Sequence, residues 1–456
     1  MIPSDTIIEK YNQTLPRYTS YPPANFFKIT STEEYISAIK ESNNTNPKNI
    51  SIYIHIPFCE QLCWYCGCNT FICNSNSKVD EYLQILLKEI SNVFTLLDSS
   101  RVVTQIHFGG GSPNILTTLQ LQQIINKITT KFSISKQAEI AIECNPADIS
   151  IAYIKDLISI GFNRISLGIQ DFNKDVLQAV HRKIPTIPIE TFVSEIHSQN
   201  VAVNFDFIYG LPLQTIESFE KTILQALTYS PERIVTFSYA HVPGIKLHQK
   251  NLEKFIFPSA KEKLEMLTNT YQILEKNNYI PIGLDHFAKK TDSLAKAVES
   301  KSLHRNFQGY CTRETTGQVY AFGASAISQF SNSFFQNSKE TQEYQDSILS
   351  NGFATKQGYI LNLDEKITST IIEHILCNEC LDWDLISEET STSKIELQKM
   401  YSWNSNQIQD FAKDGLITMQ ENGFTVEISG KFFLRNIAAA FDINLKNSTK
   451  TFSKTI

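Results

Sequence analysis

Short β-rich runs alternate with helix-like segments between residues 50 and 240, and this alternation restricts the possible folds most. The predicted strands are ISIYIHI (51–57), TQIHFGG (104–110), EIAIECN (139–145), RISLGIQ (164–170), AVNFDFIYG (202–210) and RIVTFSYAH (233–241). Several are nearly continuous apolar runs, which is typical of parallel strands buried on both faces. Periodic helix-like segments lie between them, for example 79–94 and 117–132. We therefore expect an α/β fold built as an incomplete (β/α)6-type barrel, whose open side leaves room for a large substrate.

Two flanking regions differ from this repeat. Residues 1–50 contain PRYTSYPPANFF (16–27), a proline- and aromatic-rich N-terminal arm that we expect to pack on the protein, and then a helix near 32–41. Residues 51–365 would form the barrel with an extension. Residues 366–456 are mostly helix-like and include TMQENGFTVEIS, a hairpin signal with Asn-Gly at its turn, which predicts a helical, winged-helix-like C-terminal domain. A packing or lid role is favoured over DNA binding, because no basic cluster marks a recognition helix.

Composition and targeting signals narrow the function classes. The N-terminus MIPSDTIIEKYNQ has neither a basic leader nor an apolar core, and no apolar run approaches a membrane span, so we expect a cytoplasmic protein. In a reduced compartment, nine cysteines are more often metal ligands, reactive thiols or core residues than disulfides. The net charge of −6 argues against a general nucleic-acid binder, and we expect neither nucleic acid nor a membrane as partner.

Unusual residues follow five of the predicted strands. A cysteine cluster follows the first strand, GGGSP the second, ECNP the third, GIQ the fourth and DFIYGLP the fifth. Functional residues of parallel α/β folds gather at the carboxyl ends of the strands. The pattern therefore predicts one mouth lined by five strand ends.

The cysteine cluster has the spacing C-x3-C-x2-C-x-C, formed by Cys59, Cys63, Cys66 and Cys68. Structural zinc sites generally use two C-x2-C pairs, and the second pair is missing here. The distant pair Cys377 and Cys380 lies in a helix-like run, and we expect it to be buried in a helix. Soft thiolates at short spacing also suit an iron–sulfur cluster. Three thiolates around a four-iron cluster would leave one iron open, although a cluster or zinc ion with a structural role is the alternative.

These motifs resemble the signature of radical S-adenosylmethionine (SAM) enzymes, in which an aromatic residue precedes the last cysteine of C-x3-C-x2-C and a glycine motif follows. The chain is more specifically similar to the family of oxygen-independent coproporphyrinogen III oxidases. The stretches that carry this resemblance span residues 15 to 442: LPRYTSYP, YIHIPFC, the extra cysteine of CGC, NRISLGIQDFN, DFIYGLP, YAHVP, LDHFA, HRNFQGY and RNIAAAFD.

The resemblance implies the cofactors and the reaction. Cys59, Cys63 and Cys66 would ligate a [4Fe–4S] cluster, and SAM would bind the open iron. Reductive cleavage of SAM to a 5′-deoxyadenosyl radical would start hydrogen abstraction from a substrate propionate. Loss of CO2 then leaves a vinyl group, and two such reactions convert coproporphyrinogen III to protoporphyrinogen IX. An unidentified reductant and electron acceptor would take part, and the family precedent suggests a monomer.

The resemblance also assigns SAM contacts residue by residue. Tyr53 would contact the cluster-bound SAM, Glu143 would accept from its ribose or amino group, and Ile327 would give it an apolar contact. Gly110 belongs to the glycine motif that receives its amino group. The resemblance implies a second SAM molecule, whose contacts match Tyr65, Gly111, Ser112, Gln170, Arg182, Asp206 and Ala240. No catalytic residue is assigned beyond the cluster and SAM.

The predicted substrate contacts come from two segments. HRNFQGY offers His304, Arg305 and Gln308 beside Phe307, and such donors suit a porphyrinogen with four carboxylates. Arg17, Tyr18 and Tyr21 would belong to an arm that closes over the substrate. Cys68 would have a substrate-side role or be a small buried thiol.

Three rival functions remain for such a chain. A haem-binding, chaperone-like relative usually has phenylalanine at the position of Cys68 and lacks the N-terminal arm, whereas this chain has both oxidase features. Another porphyrin-modifying radical SAM enzyme fits HRNFQGY and RNIAAAFD less well. A non-enzymatic metal-binding scaffold would leave the five decorated strand ends unexplained.

Overall fold

The computed structural model describes residues 3–46, 48–312, 318–445, 448, 450 and 452–456. The helices of this part of the chain are α1 (Asp5–Tyr11), α2 (Thr32–Ser42), α3 (Asn76–Phe94), α4 (Thr118–Lys131), α5 (Ile151–Ser159), α6 (Lys174–Ala179), α7 (Ile189–Ser198), α8 (Ile216–Thr228), α9 (Ala260–Lys276), α10 (Ser293–Glu299), α11 (Thr341–Asn351), α12 (Leu363–Asn378), α13 (Trp383–Thr390), α14 (Lys394–Met400), α15 (Ser405–Lys413) and α16 (Leu434–Ala439).

The strands of the same part are β1 (Lys28–Ile29), β2 (Asn49–Ile56), β3 (Phe58–Cys59), β4 (Phe71–Ile72), β5 (Val102–Gly110), β6 (Ser133–Cys144), β7 (Arg164–Gln170), β8 (Ala202–Tyr209), β9 (Arg233–Ser238), β10 (Tyr279–Ile282), β11 (His286–Lys289), β12 (Leu303–Asn306), β13 (Gly309–Thr312), β14 (Val319–Phe322), β15 (Ile327–Gln329), β16 (Ser333–Asn337), β17 (Thr355–Ile360), β18 (Cys380–Asp382), β19 (Ile417–Gln420) and β20 (Gly423–Val426).

The six predicted strands form the centre of one sheet. They are β2, β5, β6, β7, β8 and β9, which lie side by side in chain order and pair in parallel. Helices α3, α4, α5, α7 and α8 connect or follow these strands and bury apolar stripes against them. In α4, for example, Leu121, Ile124, Ile125 and Ile128 are buried, and a capping box between Thr117 and Gln120 begins the helix. The expected α/β fold is confirmed.

The sheet continues beyond both edges of these six strands. Strand β14 pairs in parallel with β2, so Ala321 lies opposite Tyr53, and β15, β16, β17 and β1 follow it as antiparallel neighbours. On the other side, β11 and β10 add to β9. Strands β1 and β10 are the two ends of this sheet in the described residues, so it does not close into a barrel.

The N-terminal arm packs on the rest of the protein, as predicted. Arg435 donates from Nε to the Pro16 carbonyl (2.9 Å), and the buried Tyr18 donates its hydroxyl hydrogen to Asp442 Oδ2 (2.9 Å). Tyr11, Tyr18 and Tyr21 share a hydrophobic core with α12, α13, α15 and α16. Further on, β1 pairs with β17 and Phe27 stacks on Phe334 (ring centroids 5.7 Å apart). The arm therefore joins the C-terminal region to the extended edge of the sheet.

The C-terminal region contains the predicted hairpin. Strands β19 and β20 pair with Gln420 opposite Gly423, so the two turn residues are Glu421 and Asn422, and Gly423 already begins the second strand. Strand β18 adds to β20. The expectation for the distant cysteine pair was half wrong: Cys377 is buried in α12, but Cys380 is half-buried and begins β18, because the helix ends at Asn378.

No helix in the described ranges has both the length and the apolar character needed to cross a bilayer.

Candidate active site

A cavity of about 880 Å³ opens at the carboxyl ends of the parallel strands. Every residue assigned to the cluster or to SAM from the sequence lines it. They are Tyr53, Cys59, Cys63, Tyr65, Cys66, Gly110, Gly111, Ser112, Glu143, Gln170, Arg182, Asp206, Ala240 and Ile327. The strand ends thus form the single mouth that the sequence predicts.

The three predicted cluster ligands lie on the loop that follows β2. Ser112 donates from its hydroxyl to Cys59 Sγ (3.6 Å), Arg182 donates from Nη1 to Cys63 Sγ (3.6 Å), and all three thiols are half-buried. Burial raises the pKa of the Cys59 thiol to about 11, so this thiol must lose its proton to bind metal. Donors aimed at two of the sulfurs suit thiolates.

A single metal ion does not fit this set. Within the described ranges, no group of three or more His, Cys, Asp or Glu side chains is arranged to hold one ion. In a four-iron cluster each thiolate binds a different iron atom, so the three sulfurs need not converge on one point. The donor set fits an iron–sulfur cluster better than zinc.

The glycine motif is held against the cysteine loop by backbone hydrogen bonds. Gly111 N donates to the Ile56 carbonyl and Ser112 N to the Phe58 carbonyl, both at 2.8 Å. A Cβ atom on Gly111 would lie 2.6 Å from the Phe58 carbonyl oxygen and 3.0 Å from Cys59 Sγ. Gly110 has φ +118°, and a Cβ there would meet the ring of His55 at 2.7 Å. A side chain at either position would clash with these neighbours, so the close packing here requires glycine.

Glu143 lies at the end of β6 and is paired. His107 Nε2 donates to Glu143 Oε1 (2.9 Å), and Gly110 N donates to Oε2 (3.4 Å). Burial alone would favour the protonated acid, but the hydrogen bond and charge of His107 outweigh it and lower the pKa of Glu143. The carboxylate side chain remains 41% exposed and lines the cavity, so it can also accept from a ligand.

Two histidines in this wall were missed by the sequence reasoning. The Tyr53 ring stacks on His107 (centroids 5.8 Å apart), and its hydroxyl lies 3.1 Å from His55 Nδ1. Both histidines line the cavity. The available signal was their position: each is a polar residue at a cavity-facing site of an otherwise apolar strand.

The side chains of Gln170 and Arg182 both lie beside Gly168, near the end of β7. Arg182 Nη2 donates to the Gly168 carbonyl, and a Cβ on Gly168 would lie 2.9 Å from Gln170 Nε2. Gln170 adopts φ +68°, and its buried Oε1 has no hydrogen-bond partner among the described residues. A buried amide oxygen without a donor is costly, and a bound ligand could supply that donor.

The remaining assigned residues complete the opposite wall. Ser166 donates from its hydroxyl to Asp206 Oδ2 (2.8 Å), while burial raises the pKa of Asp206 to about 6. Gln249 Nε2 donates to the carbonyls of Tyr65 (3.2 Å) and Ala240 (3.3 Å), so these two backbone segments are tied together. Ile327 packs near Phe27 and Phe334 at the extended edge. The family resemblance assigned Tyr65, Asp206, Ala240 and Ile327 to SAM, but it did not give their partners.

The floor of the cavity is a charged network that the sequence did not reveal. Arg164 and Arg233 both donate to Glu139 Oε2 (2.8 and 3.0 Å) and to the two oxygens of Asp292 (both 2.9 Å). The two arginines hold the pKa of Glu139 well below its usual range, although burial opposes this. Because each charge is paired, we interpret this network as the structural base of the cavity.

The predicted substrate contacts separate into two groups. Arg17, Phe307 and Gln308 line the cavity. His304 Nδ1 instead lies 2.6 Å from Glu373 Oε1, and neither His304 nor Arg305 belongs to the cavity lining. Tyr18 and Tyr21 are buried in the C-terminal core. Of the two segments, the arm thus presents Arg17, and HRNFQGY presents Phe307 and Gln308.

Comparisons with known proteins agree with this site. The model of the Radical SAM superfamily matches residues 53–226. An oxygen-independent coproporphyrinogen III oxidase of Synechocystis sp. is 38% identical over 458 aligned residues, which cover 99% of this chain and 98% of the relative. The enzyme of that name from Escherichia coli is 35% identical, with the same coverage of both chains. A solved structure described as coproporphyrinogen III oxidase from Escherichia coli, a radical SAM enzyme, has a TM-score of 0.88 and 34% identity, covering 97% of this chain and 99% of its own.

Proposed function

The chain belongs to the oxygen-independent coproporphyrinogen III oxidases of the radical SAM superfamily, and we propose the roles of its cavity residues on that premise. The enzyme decarboxylates two propionate side chains of coproporphyrinogen III to vinyl groups and forms protoporphyrinogen IX in haem biosynthesis. Its cofactors are a [4Fe–4S] cluster and SAM. The observation that carries this function is the meeting of the three cysteines, the glycine motif and five strand ends in one cavity.

Cys59, Cys63 and Cys66 hold the cluster in this proposal. The cluster and SAM supply, when bound, the one-electron chemistry that starts each decarboxylation. Ser112 and Arg182 support it by donating to the sulfurs of Cys59 and Cys63. Charge-assisted donors of this kind orient metal ligands and tune their basicity.

The SAM contacts are proposed from the free acceptors and the cavity lining. Glu143 accepts from the SAM on the open iron, Tyr53 and Ile327 line its pocket, and Gly110, which lines the same cavity, receives its amino group. A second SAM lies against Tyr65, Gly111, Ser112, Gln170, Arg182, Asp206 and Ala240. The support for the second molecule is the unpartnered Gln170 Oε1 and the raised pKa of Asp206, two groups that a hydrogen-bonding ligand would satisfy.

The remaining proposals concern organisation and partners. We assign residues 1–50 to an arm and helix, 51–365 to the catalytic barrel with its extension, and 366–456 to the C-terminal domain. The enzyme works as a monomer in the cytoplasm, where thiols stay reduced, and uses a separate reductant and electron acceptor. It needs neither nucleic acid nor a membrane.

Product analysis under anaerobic conditions tests the function. The reconstituted protein is incubated with coproporphyrinogen III, SAM, a reductant and an electron acceptor, and the oxidised porphyrins are separated by chromatography. We expect protoporphyrin, with the monovinyl intermediate appearing first. Cleavage of SAM without any change in the porphyrin would contradict the substrate assignment and leave the cluster assignment standing.

A pair of cysteine variants separates cluster ligation from a general effect of losing a thiol. Cys63→Ala should lose the cluster's visible absorption and form no product. Cys380→Ser changes a half-buried cysteine of β18, outside the cavity lining, and should retain iron content and activity. Equal iron content in both variants would refute the proposed ligand set.

A further inference from the structure

We infer that Arg17 and His286 form a carboxylate-binding wall that holds substrate propionates other than the one being decarboxylated. This inference rests on the proposed function and adds residues to it. Neither residue belongs to the cluster or SAM contacts, and the LDHFA segment that contains His286 had no assigned role.

Arg17 has free hydrogen-bond donors at the cavity. Its Nη2 donates to the Ser238 carbonyl at the end of β9 (2.9 Å). Among the described residues, this carbonyl is the acceptor for the Arg17 side chain. The remaining N–H groups are therefore available to a ligand. Arg435 fixes the preceding backbone through the Leu15 and Pro16 carbonyls, and Tyr18 is buried just after it. The guanidinium thus projects from a backbone that is held on both sides.

His286 is oriented toward the same space. Its Nδ1 lies 2.6 Å from Asp285 Oδ1, and since a carboxylate only accepts, Nδ1 must carry the hydrogen. Nε2 has no hydrogen-bond partner in the described ranges, and His286 lines the cavity. A Cβ on Gly309 would lie 3.2 Å from Nε2, so glycine keeps this approach open. When protonated, His286 would donate from Nε2 to an anionic oxygen.

The surrounding charge favours an anion. Arg305 and Lys263 each lie near Arg17 but do not line the cavity, and Arg305 has two buried donors, Nε and Nη1, without partners among the described residues. Burial, reinforced by Arg17 and Arg435, lowers the pKa of Lys263 to about 8. Asp285 faces Arg17, Arg305 and His286, and Asp206 also faces His286. A carboxylate in this region would offset the surplus positive charge.

The position of the wall decides which carboxylate it binds. His286 pairs with Val235 of β9, and Arg17 binds Ser238, so both residues lie beside the last three to four residues of β9. The cysteine loop follows β2, which is separated from β9 by five strand spacings, or roughly 24 Å along the sheet and less across its curve. One propionate side chain is far shorter than this distance. We therefore assign the wall to a propionate other than the one that reacts at the cluster-bound SAM.

Steady-state kinetics of matched variants test this inference. Arg17→Gln should raise the KM for coproporphyrinogen III about tenfold or more, because a charged hydrogen bond to carboxylate is lost. Arg17→Lys should give an intermediate KM, since lysine keeps the charge without the guanidinium fork. His286→Gln should raise the KM at least about threefold. Lys28→Gln removes an exposed charge from β1, directly after the arm, and should stay within about twofold of the parent.

Two further readouts exclude damage to the cofactor site. Iron content and reductive SAM cleavage without porphyrinogen should match the parent enzyme in every variant. As a second measurement, coproporphyrin III should inhibit the parent enzyme better than its tetramethyl ester does. This preference for the free carboxylates should be smaller in Arg17→Lys. The Arg17→Lys variant also tests the wall if Arg17→Gln does not fold. If the parent enzyme converts coproporphyrinogen III and the KM of Arg17→Gln is unchanged, the wall is refuted and the proposed function stands. If the parent enzyme converts none, the proposed function falls, and the wall with it.

Discussion

Gly111→Ala is the sharpest steric test of the cofactor site. The added methyl group would lie 2.6 Å from the Phe58 carbonyl oxygen and 3.0 Å from Cys59 Sγ. The carbonyl cannot move away freely, because it accepts from Ser112 N at 2.8 Å, while Gly111 N donates to Ile56 O at 2.8 Å. To reach ordinary contact, the two segments must separate by roughly 1 Å, since non-bonded atoms prefer about 3.5 Å or more.

The magnitude follows from the cost of overpacking. Adding a carbon to a tightly packed site costs about 1–3 kcal/mol. If the added methyl group destabilises the SAM-bound enzyme by this amount relative to the free enzyme, the affinity for SAM decreases about 5- to 150-fold, since about 1.4 kcal/mol corresponds to a factor of ten. We therefore expect a higher KM for SAM and a lower iron content after reconstitution.

Gly67→Ala is the matched control. Gly67 lies between Cys66 and Cys68 on the same loop, and apart from these two neighbours no described residue has an atom within 4 Å of its would-be Cβ. Iron content is measured by colorimetric assay and SAM cleavage by methionine release, for both variants in parallel. If Gly111→Ala and Gly67→Ala had the same iron content and the same KM for SAM, the close packing of the glycine motif on the cysteine loop would be refuted.

Three further predictions test single groups. Glu143→Gln removes the charge that His107 stabilises, and it should lower the rate of substrate-free SAM cleavage about tenfold or more with unchanged iron content. The control Glu60→Gln changes an exposed glutamate, and its rate should stay within about twofold of the parent. Equal rates of SAM cleavage in the two variants would contradict the role of Glu143. Asp206 has an ordinary pKa of 3.8 and a folded pKa of about 6, so the wild type loses stability as the pH rises from about 4 through 6. In urea unfolding, Asp206→Asn should therefore be more stable than the wild type by up to about 3 kcal/mol at pH 7.5 but not near pH 4. A difference in unfolding free energy that does not change with pH would count against this reasoning. Tyr18→Phe leaves the buried Asp442 without one donor and should lower the free energy of urea unfolding by about 1–3 kcal/mol. In the control Tyr229→Phe, the lost hydroxyl contacts an exposed glutamine, and the loss should be less than about 0.5 kcal/mol. Equal losses in the two variants would refute the buried contact.

The strand pattern was predictable because it depends on local spacing. Apolar runs near 51–57 and 104–110 became β2 and β5, and the remaining four predicted strands also appear in the sheet in chain order. Their carboxyl ends had to meet at one edge once the strands were parallel, so the cysteine loop, GGGSP and Glu143 could be placed in one cavity from sequence. The same logic could not identify His55 and His107 as neighbours of Tyr53, because it shows which face a residue takes but not its partners.

The closure of the site depended on contacts between distant segments. Strand β14 pairs with β2 although about 270 residues separate Ala321 from Tyr53, and no local signal specifies such a pairing. Likewise, HRNFQGY contains three polar candidates, but His304 turns to Glu373 while Gln308 lines the cavity, and only the packing of β12 against α12 decides between them.

The sequence by itself determined the α/β repeat, the cysteine loop and the strand ends that line the mouth, because each depends on residues near one another in the chain. The tertiary structure alone decided that the arm brings Arg17 beside Ser238, that Asp285 aims His286 into the cavity, and that Tyr18 is buried in the C-terminal core. Those contacts join segments more than 200 residues apart in the case of the arm, and burial and hydrogen bonding across such distances exist only after the chain has folded.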